Sequence, residues 1–209
     1  MKQRIWFLAV AFAFTLVTIC LPACRSTQAP VKFYTLDAMQ GLEKGSLQAA
    51  ANREVAVGVG PVRLPALLER PQIVIRTSPN MVNLSESHRW GGSLREDFLR
   101  VIGENISQLL GTSKVAVYPW ESYFTPDYRV AFDVQRFDGE LAGNVVLSVS
   151  WTVRGREATG VLAVKNSVVR EPVAASSYEA LVAAESRALA ALSQQVVEQI
   201  KQLEIARAQ

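Results

Sequence analysis

Histidine and cysteine are almost missing from this chain: 209 residues contain one histidine, His88, and two cysteines, Cys20 and Cys24. A zinc site built from several imidazoles or thiolates has too few ligands to draw on, and a disulfide framework has no spare partners. A phosphate-cradling loop is absent too. The run GVGPVR, residues 58–63, has neither the G-x-G-x-x-G spacing nor a helix behind it. SESHRWGG around His88 lacks the glycine-flanked serine of a nucleophile elbow, so a Ser, His, Asp triad has one marked member only. Neither sign of charge is in excess. Basic residues number 22 and acidic ones 19, and Lys2 and Arg4 sit in the first four positions. A nucleic-acid-binding face needs clustered Lys and Arg, and no such stripe occurs. These shortages nominate no catalytic residue, no metal site and no cofactor.

What the chain does have begins at the N-terminus. MKQR is a positive start, and Ile5–Ile19 is an uncharged apolar run that leads to small residues ahead of Cys24, the pattern of an export signal. An uncleaved membrane anchor is the alternative, because Ile5 to Cys24 just spans about 30 Å of hydrocarbon as a helix. Pro22 and Ala23 count against it. LPAC, residues 21–24, resembles the lipobox of bacterial lipoproteins, with Leu three residues before the cysteine and Ala directly before it. In such proteins the thiol is diacylglycerylated, the preceding bond is cut and the new amine is acylated. The resemblance implies that residues 1–23 are a signal peptide and that Cys24 is the lipidated first residue of the mature protein. A free thiol or an interchain bridge at Cys24 is the competing reading.

Lipidation has a physical rationale: one acyl chain holds a protein reversibly, at about 0.8 kcal/mol per buried methylene, and two or three make the anchoring permanent. Arg25, rather than Asp, after the cysteine implies sorting to the outer membrane. The linker, residues 24–31, is polar and contains Pro30. Seven residues from Arg25 to Val31 reach about 25 Å when extended, so the folded body hangs close to the membrane.

Residues 32–209 read as one domain. KFYTL, EVAVGVGPVRLP and QIVIRT are strand-like, with Val55, Val57 and Val59 on one face of the second. Asp37–Arg53 is a polar connection that its composition marks as partly disordered. MVNLSESHRW reads as a loop leading into a helix. That helix starts at a capping box, Ser93 with Glu96, follows an apolar stripe from Leu94 to Leu110 and stops at Gly111. YRVAFDVQRF, NVVLSVSWTV and VLAVKNSVV alternate with period two and have connections too short for a crossover, which predicts an antiparallel meander. A last helix is predicted from a box at Ser176 and Glu179 through Leu203. The expected fold is α+β, an antiparallel sheet with two main helices packed on one face.

His88, Arg89 and Trp90 are candidate partner-binding residues, since Arg and Trp dominate interface hot spots. Arg70, in the Leu67–Ile73 segment, is a candidate partner-binding residue with them. The alternative for Trp90 is a core position beneath the helix start, with Arg89 solvated.

FYTL behind a lipidated cysteine, VGVGPVRLPALLERPQIVIRT, a tryptophan before SLREDFLRVIGENISQLL, and VQRFDGELAGNVVLSVSW together resemble the paraquat-inducible protein C family, the auxiliary lipoproteins of ABC-type transport. Phe137, Gly139, Gly143 and Trp151 fall on that pattern. Gly91 and Gly92 stand where the family often has a small residue and a proline. The resemblance implies a non-enzymatic lipoprotein on the periplasmic face of the outer membrane, serving intermembrane lipid transport. It would dock a mammalian-cell-entry-type conduit protein fixed in the inner membrane, with a ring of several copies as one arrangement. Two further readings stay open: a periplasmic carrier lipoprotein that itself binds lipid, and a hydrolase using His88.

Overall fold

The computed structural model describes residues 30–40, 54–156 and 160–208. The export signal, Cys24 and most of the polar connection before Glu54 lie outside the described residues. Two compact units divide the chain after Pro30, and the folded body is the second, Val31–Gln209.

Eight strands and two long helices make up that body, in the order β1 (Lys32–Tyr34), β2 (Val57–Arg63), β3 (Gln72–Ser78), β4 (Met81–Trp90), α1 (Leu94–Leu110), β5 (Val115–Val117), β6 (Tyr128–Gly139), β7 (Asn144–Gly155), β8 (Val161–Pro172) and α2 (Tyr178–Ala208). The fold is α+β. Its sheet is mixed rather than antiparallel throughout. The meander β6–β7–β8 is antiparallel as expected, but β2 runs parallel to both β5 and β6, β1 parallel to β4, and β3 parallel to the end of β6. Parallel pairing follows from long connections, such as the one through α1, which return the chain to the same end of the sheet.

β6 organises this arrangement. One of its edges pairs with β7 from Tyr128↔Gly155 to Gly139↔Val145. Its other edge is shared: β2 takes the first half, from Val57↔Tyr128 to Arg63↔Asp133, and β3 takes the end at Ile75↔Gly139. A β-bulge between Val134 and Arg136 changes the phase of the strand. Tyr128, Val130, Phe132 and Val134 face the helices; without the bulge Arg136 would follow them inward. With it, Phe137 turns in instead and is 1% exposed.

Both helices lie on that inward face. Phe98 of α1 sets its ring edge-on against Phe132 and Phe137, with centroids 5.8 and 5.9 Å apart. α1 begins as expected, with the Ser93 hydroxyl accepting the Glu96 N–H, and ends at Gly111 in the left-handed conformation, φ 64°. α2 begins one residue later than expected. Ser177, not Ser176, accepts the Ala180 N–H. Along α2, Gln195 accepts from Ser167, which in turn accepts the indole N–H of Trp151, so the buried tryptophan is satisfied across three elements.

Gly139 sets how closely α2 approaches. A Cβ there would lie 2.8 Å from Val145 and 2.9 Å from Leu181. Replacing Gly139 by Ala is expected to cost about 2 kcal/mol of unfolding free energy through overpacking, read from urea denaturation; an unchanged midpoint would refute the close approach.

The inner layer also holds a carboxyl without a counter-charge. Glu185 of α2 is 2% exposed and its Oε2 has no hydrogen-bond partner. Burial, reinforced by the negative charge of Asp138, pushes its pKa well above 4.5, so the folded protein keeps it protonated. A raised folded pKa means that its share of stability is complete below about pH 4.5 and is lost as pH climbs through the folded value. Glu185→Gln is expected to remove that loss. The wild type should fall progressively behind the variant in urea midpoint as pH rises above about 4.5, and parallel pH profiles would contradict the assignment.

Candidate functional site

The four expected contact residues do not form one exposed patch. Trp90 closes β4, is 6% exposed and belongs to the core; its N–H donates to the Pro71 carbonyl at 2.7 Å. Arg89 is half-buried and locally engaged, donating through Nε to the Glu86 carbonyl at 3.2 Å and pairing with the Glu86 carboxylate at 3.7 Å. Arg70 borders a cleft of about 330 Å³ lined by Leu68, Pro71, Gly92 and Leu94 among others, and its Nε is buried without an acceptor. Glu69 and Arg95 pair at the same cleft. Cys24 lies outside the described residues.

His88 is the largest departure from expectation. It sits on a strand rather than in a loop, because β4 pairs with both β3 and β1 while carrying little apolar alternation of its own. Its ring stacks on Tyr178 at 3.9 Å and 9° between planes, and Nδ1 lies 2.7 Å from the Tyr34 hydroxyl. Burial, then the charge of Lys32 on the neighbouring strand, lowers its pKa. Nδ1 and the Tyr34 hydroxyl share a hydrogen bond, and the pKa of Tyr34 is raised by burial, Glu179 and Tyr178. Thus His88 pins β1, β4 and the start of α2 together. Ser85 turns its hydroxyl to the His88 backbone N–H, not to the imidazole.

The polar groups that act together lie one step away, where the chain leaving β1 crosses α1. Asp97 accepts the Leu36 N–H at 2.6 Å and the Thr35 hydroxyl at 3.0 Å through Oδ2. Arg100 donates to the Leu36 carbonyl at 2.6 Å and also pairs with Asp97 and Glu104. Farther along, Asn105 accepts the Met39 N–H at 2.8 Å and donates to Ser193 of α2. Three residues of α1 therefore strap residues 35–39 across the helical layer. Leu36 is 1% exposed beneath that strap. A second cleft, about 420 Å³, runs alongside it between Tyr34, Gly91, Glu96 and Arg100.

A further buried ion cluster lies at the junction of β3 and β6. Asp138 accepts from Arg76 at 2.7 and 3.0 Å and from Arg136 at 2.7 Å. Burial opposes its charge, yet the two guanidiniums hold its carboxyl below the usual carboxylate range. Among the described residues no group of His, Cys, Asp and Glu could hold a metal ion, and no helix is long and apolar enough to cross a membrane.

What this arrangement does chemically is to hold a segment in place. Asp97→Ala is expected to cost about 2 kcal/mol, since it strips charge-assisted hydrogen bonds from the Leu36 amide and Thr35. Amide hydrogen exchange should show protection lost at Leu36 and retained in β7; equal protection at Leu36 in variant and wild type would dismiss the strap.

Comparison with known proteins bears on the fold and the family. No curated protein matches the chain. In solved structures, a Xanthomonas campestris protein from a family of unknown function superposes with a TM-score of 0.66 at 16% identity, covering 84% of this chain and 99% of that one. An uncharacterized protein superposes at 0.64 with 18% identity, over 82% of this chain and 99% of that one. Identities this low establish the shared fold. The model of one family matches residues 34–197, from the end of β1 to deep in α2, and on that match the chain belongs to the family described as the ABC-type transport auxiliary lipoprotein component.

Proposed function

We propose that this protein is a non-enzymatic accessory subunit of a lipid transport system between two membranes. Acyl chains on Cys24 tether it to the periplasmic face of the outer membrane, and its folded body docks a mammalian-cell-entry-type conduit protein. The membership in a transport auxiliary lipoprotein family carries this reading. Two structural observations support it. Residues 35–39, which begin soon after the proposed linker, are strapped to α1, so a tether at Cys24 would hold the body rather than a loose tail. The space between helices and sheet is filled by large side chains such as Phe98, Phe137, Ile102, Leu147 and Leu192, as suits an adaptor more than a lipid carrier. His88, with Nδ1 engaged by Tyr34 and a ring face by Tyr178, gives the hydrolase reading no support.

Cys24→Ser should leave an unlipidated precursor that keeps its apolar signal segment, is lost from the outer-membrane fraction and no longer supports lipid transport, while the isolated body keeps its melting temperature. Native mass spectrometry of the wild-type body after gentle purification should show no stoichiometric phospholipid. A protein that stays in the outer membrane without its thiol, or one that carries one bound lipid per chain, would overturn the adaptor reading.

A further inference from the structure

At the start of β6 the helix-free face of the sheet carries a surface that neither the core nor the strap uses. Between β5 and β6 the loop at residues 118–127 contains four aromatics in seven positions, Tyr118, Trp120, Tyr123 and Phe124. Trp120 lies at right angles to Tyr118 at 5.7 Å and steeply inclined to Phe124 at 6.4 Å. Its ring rests on Gly58, where a Cβ would come within 2.9 Å of the indole. Glycine at that position is what lets the tryptophan lie against the sheet. Tyr123, at the tip, is 85% exposed, and Tyr118 is 49% exposed.

The same row of the sheet continues from the tryptophan into charge. Gly58 is in register with Arg129 of β6, and Arg129 is directly opposite Arg154 of β7. Two like charges facing each other across a ladder are destabilising. Here neither has an ion-pair partner among the described residues, and the Arg129 Nε is buried with no acceptor. The neighbouring carboxylate of Asp127 is committed elsewhere, accepting the Ala56 N–H and the Arg156 guanidinium. Glu121 on the loop is exposed, and no ion pair joins it to either arginine. Paired guanidiniums beside an aromatic platform suit an incoming carboxylate, which can accept from both, with apolar neighbours laid on the rings.

The surface also has a defined place on the sheet. Through the registers Lys32↔His88, Gln72↔Arg89 and Ile75↔Gly139, the chain enters the body level with the far end of β6. Arg129 is ten residues back along that strand, about 30 Å at strand rise. Within the body this surface therefore lies toward the opposite end of the sheet from the point where the chain enters.

We propose that Trp120, Tyr123, Arg129 and Arg154 form a docking surface for an acidic segment of a partner protein, at the end of the sheet away from where β1 begins. That the partner is the conduit protein rests on the function proposed above; that the surface binds an acidic protein segment does not.

The test uses the full-length, lipidated protein in cells, with a photo-crosslinking amino acid at Tyr123 and, as a control, at Met81, and adducts identified by mass spectrometry. An adduct from Tyr123 to the conduit protein, absent from Met81 and reduced at least tenfold by Arg154→Glu, supports both surface and function. An adduct to a different envelope protein, equally sensitive to Arg154→Glu, keeps the surface and removes the conduit. No protein adduct from Tyr123, an adduct to phospholipid, or an adduct indifferent to Arg154→Glu overturns the surface. Arg154 is exposed, so the variant folds; a melting temperature within a few degrees of wild type verifies this.

Discussion

One strand has to satisfy two neighbours along a single edge, and the rest of the body is arranged around that demand. β6 cannot pair with β2 for its whole length because β3 occupies its end, so the sheet forks there. The bulge after Val134 falls within the stretch between these two partners. It re-aims Phe137 toward Phe98 and leaves Arg136 free to share Asp138 with Arg76 on β3. A single extra residue thus settles the core contact and the ion cluster that closes the fork. Without those guanidiniums Asp138 would be a bare charge in a buried place, close to the neutral Glu185.

Membership of the transport auxiliary lipoprotein family gives the fold a context, and the distribution of polar chemistry gives it a direction. Polar groups on α1 are spent on holding the segment behind β1. Polar groups on the helix-free face form a ladder from Gln135 through Ser150 to Asn166, which satisfies itself. At the opposite end Arg129 and Arg154 have no ion-pair partner among the described residues. The body thus has one end where polar groups are engaged with each other and one where two arginines face each other across a ladder.

Much of this was legible in the sequence wherever the determinants are local. Ser93, Glu96 and Gly111 mark α1 because caps act within a turn, and the alternation of β6, β7 and β8 marks the meander because hairpins join neighbours. The burial of Trp90 follows from its place just before a cap. Long-range pairing was not legible: nothing in VGVGPVR says that it runs parallel to a strand seventy residues on. Nor did MVNLSESHRW announce a strand, since its polar residues are held by pairing on both edges. The strap was hidden for a similar reason. Asp97, Arg100 and Asn105 look like ordinary solvated positions on a helix until the chain that crosses them is in place. The cap at Ser177 was missed by one residue because two adjacent serines offer the same chemistry.

β1 is short, parallel to β4, and followed at once by the contacts to Asp97 and Arg100. Consider a pull on the chain ahead of Lys32, directed along the axis of β1. It would strain the β1–β4 bonds in shear, all together, instead of peeling them one by one, and the polar clasp on α1 would take the load that remains. A body built in this way resists being drawn open from its first strand more than the three residues of β1 suggest.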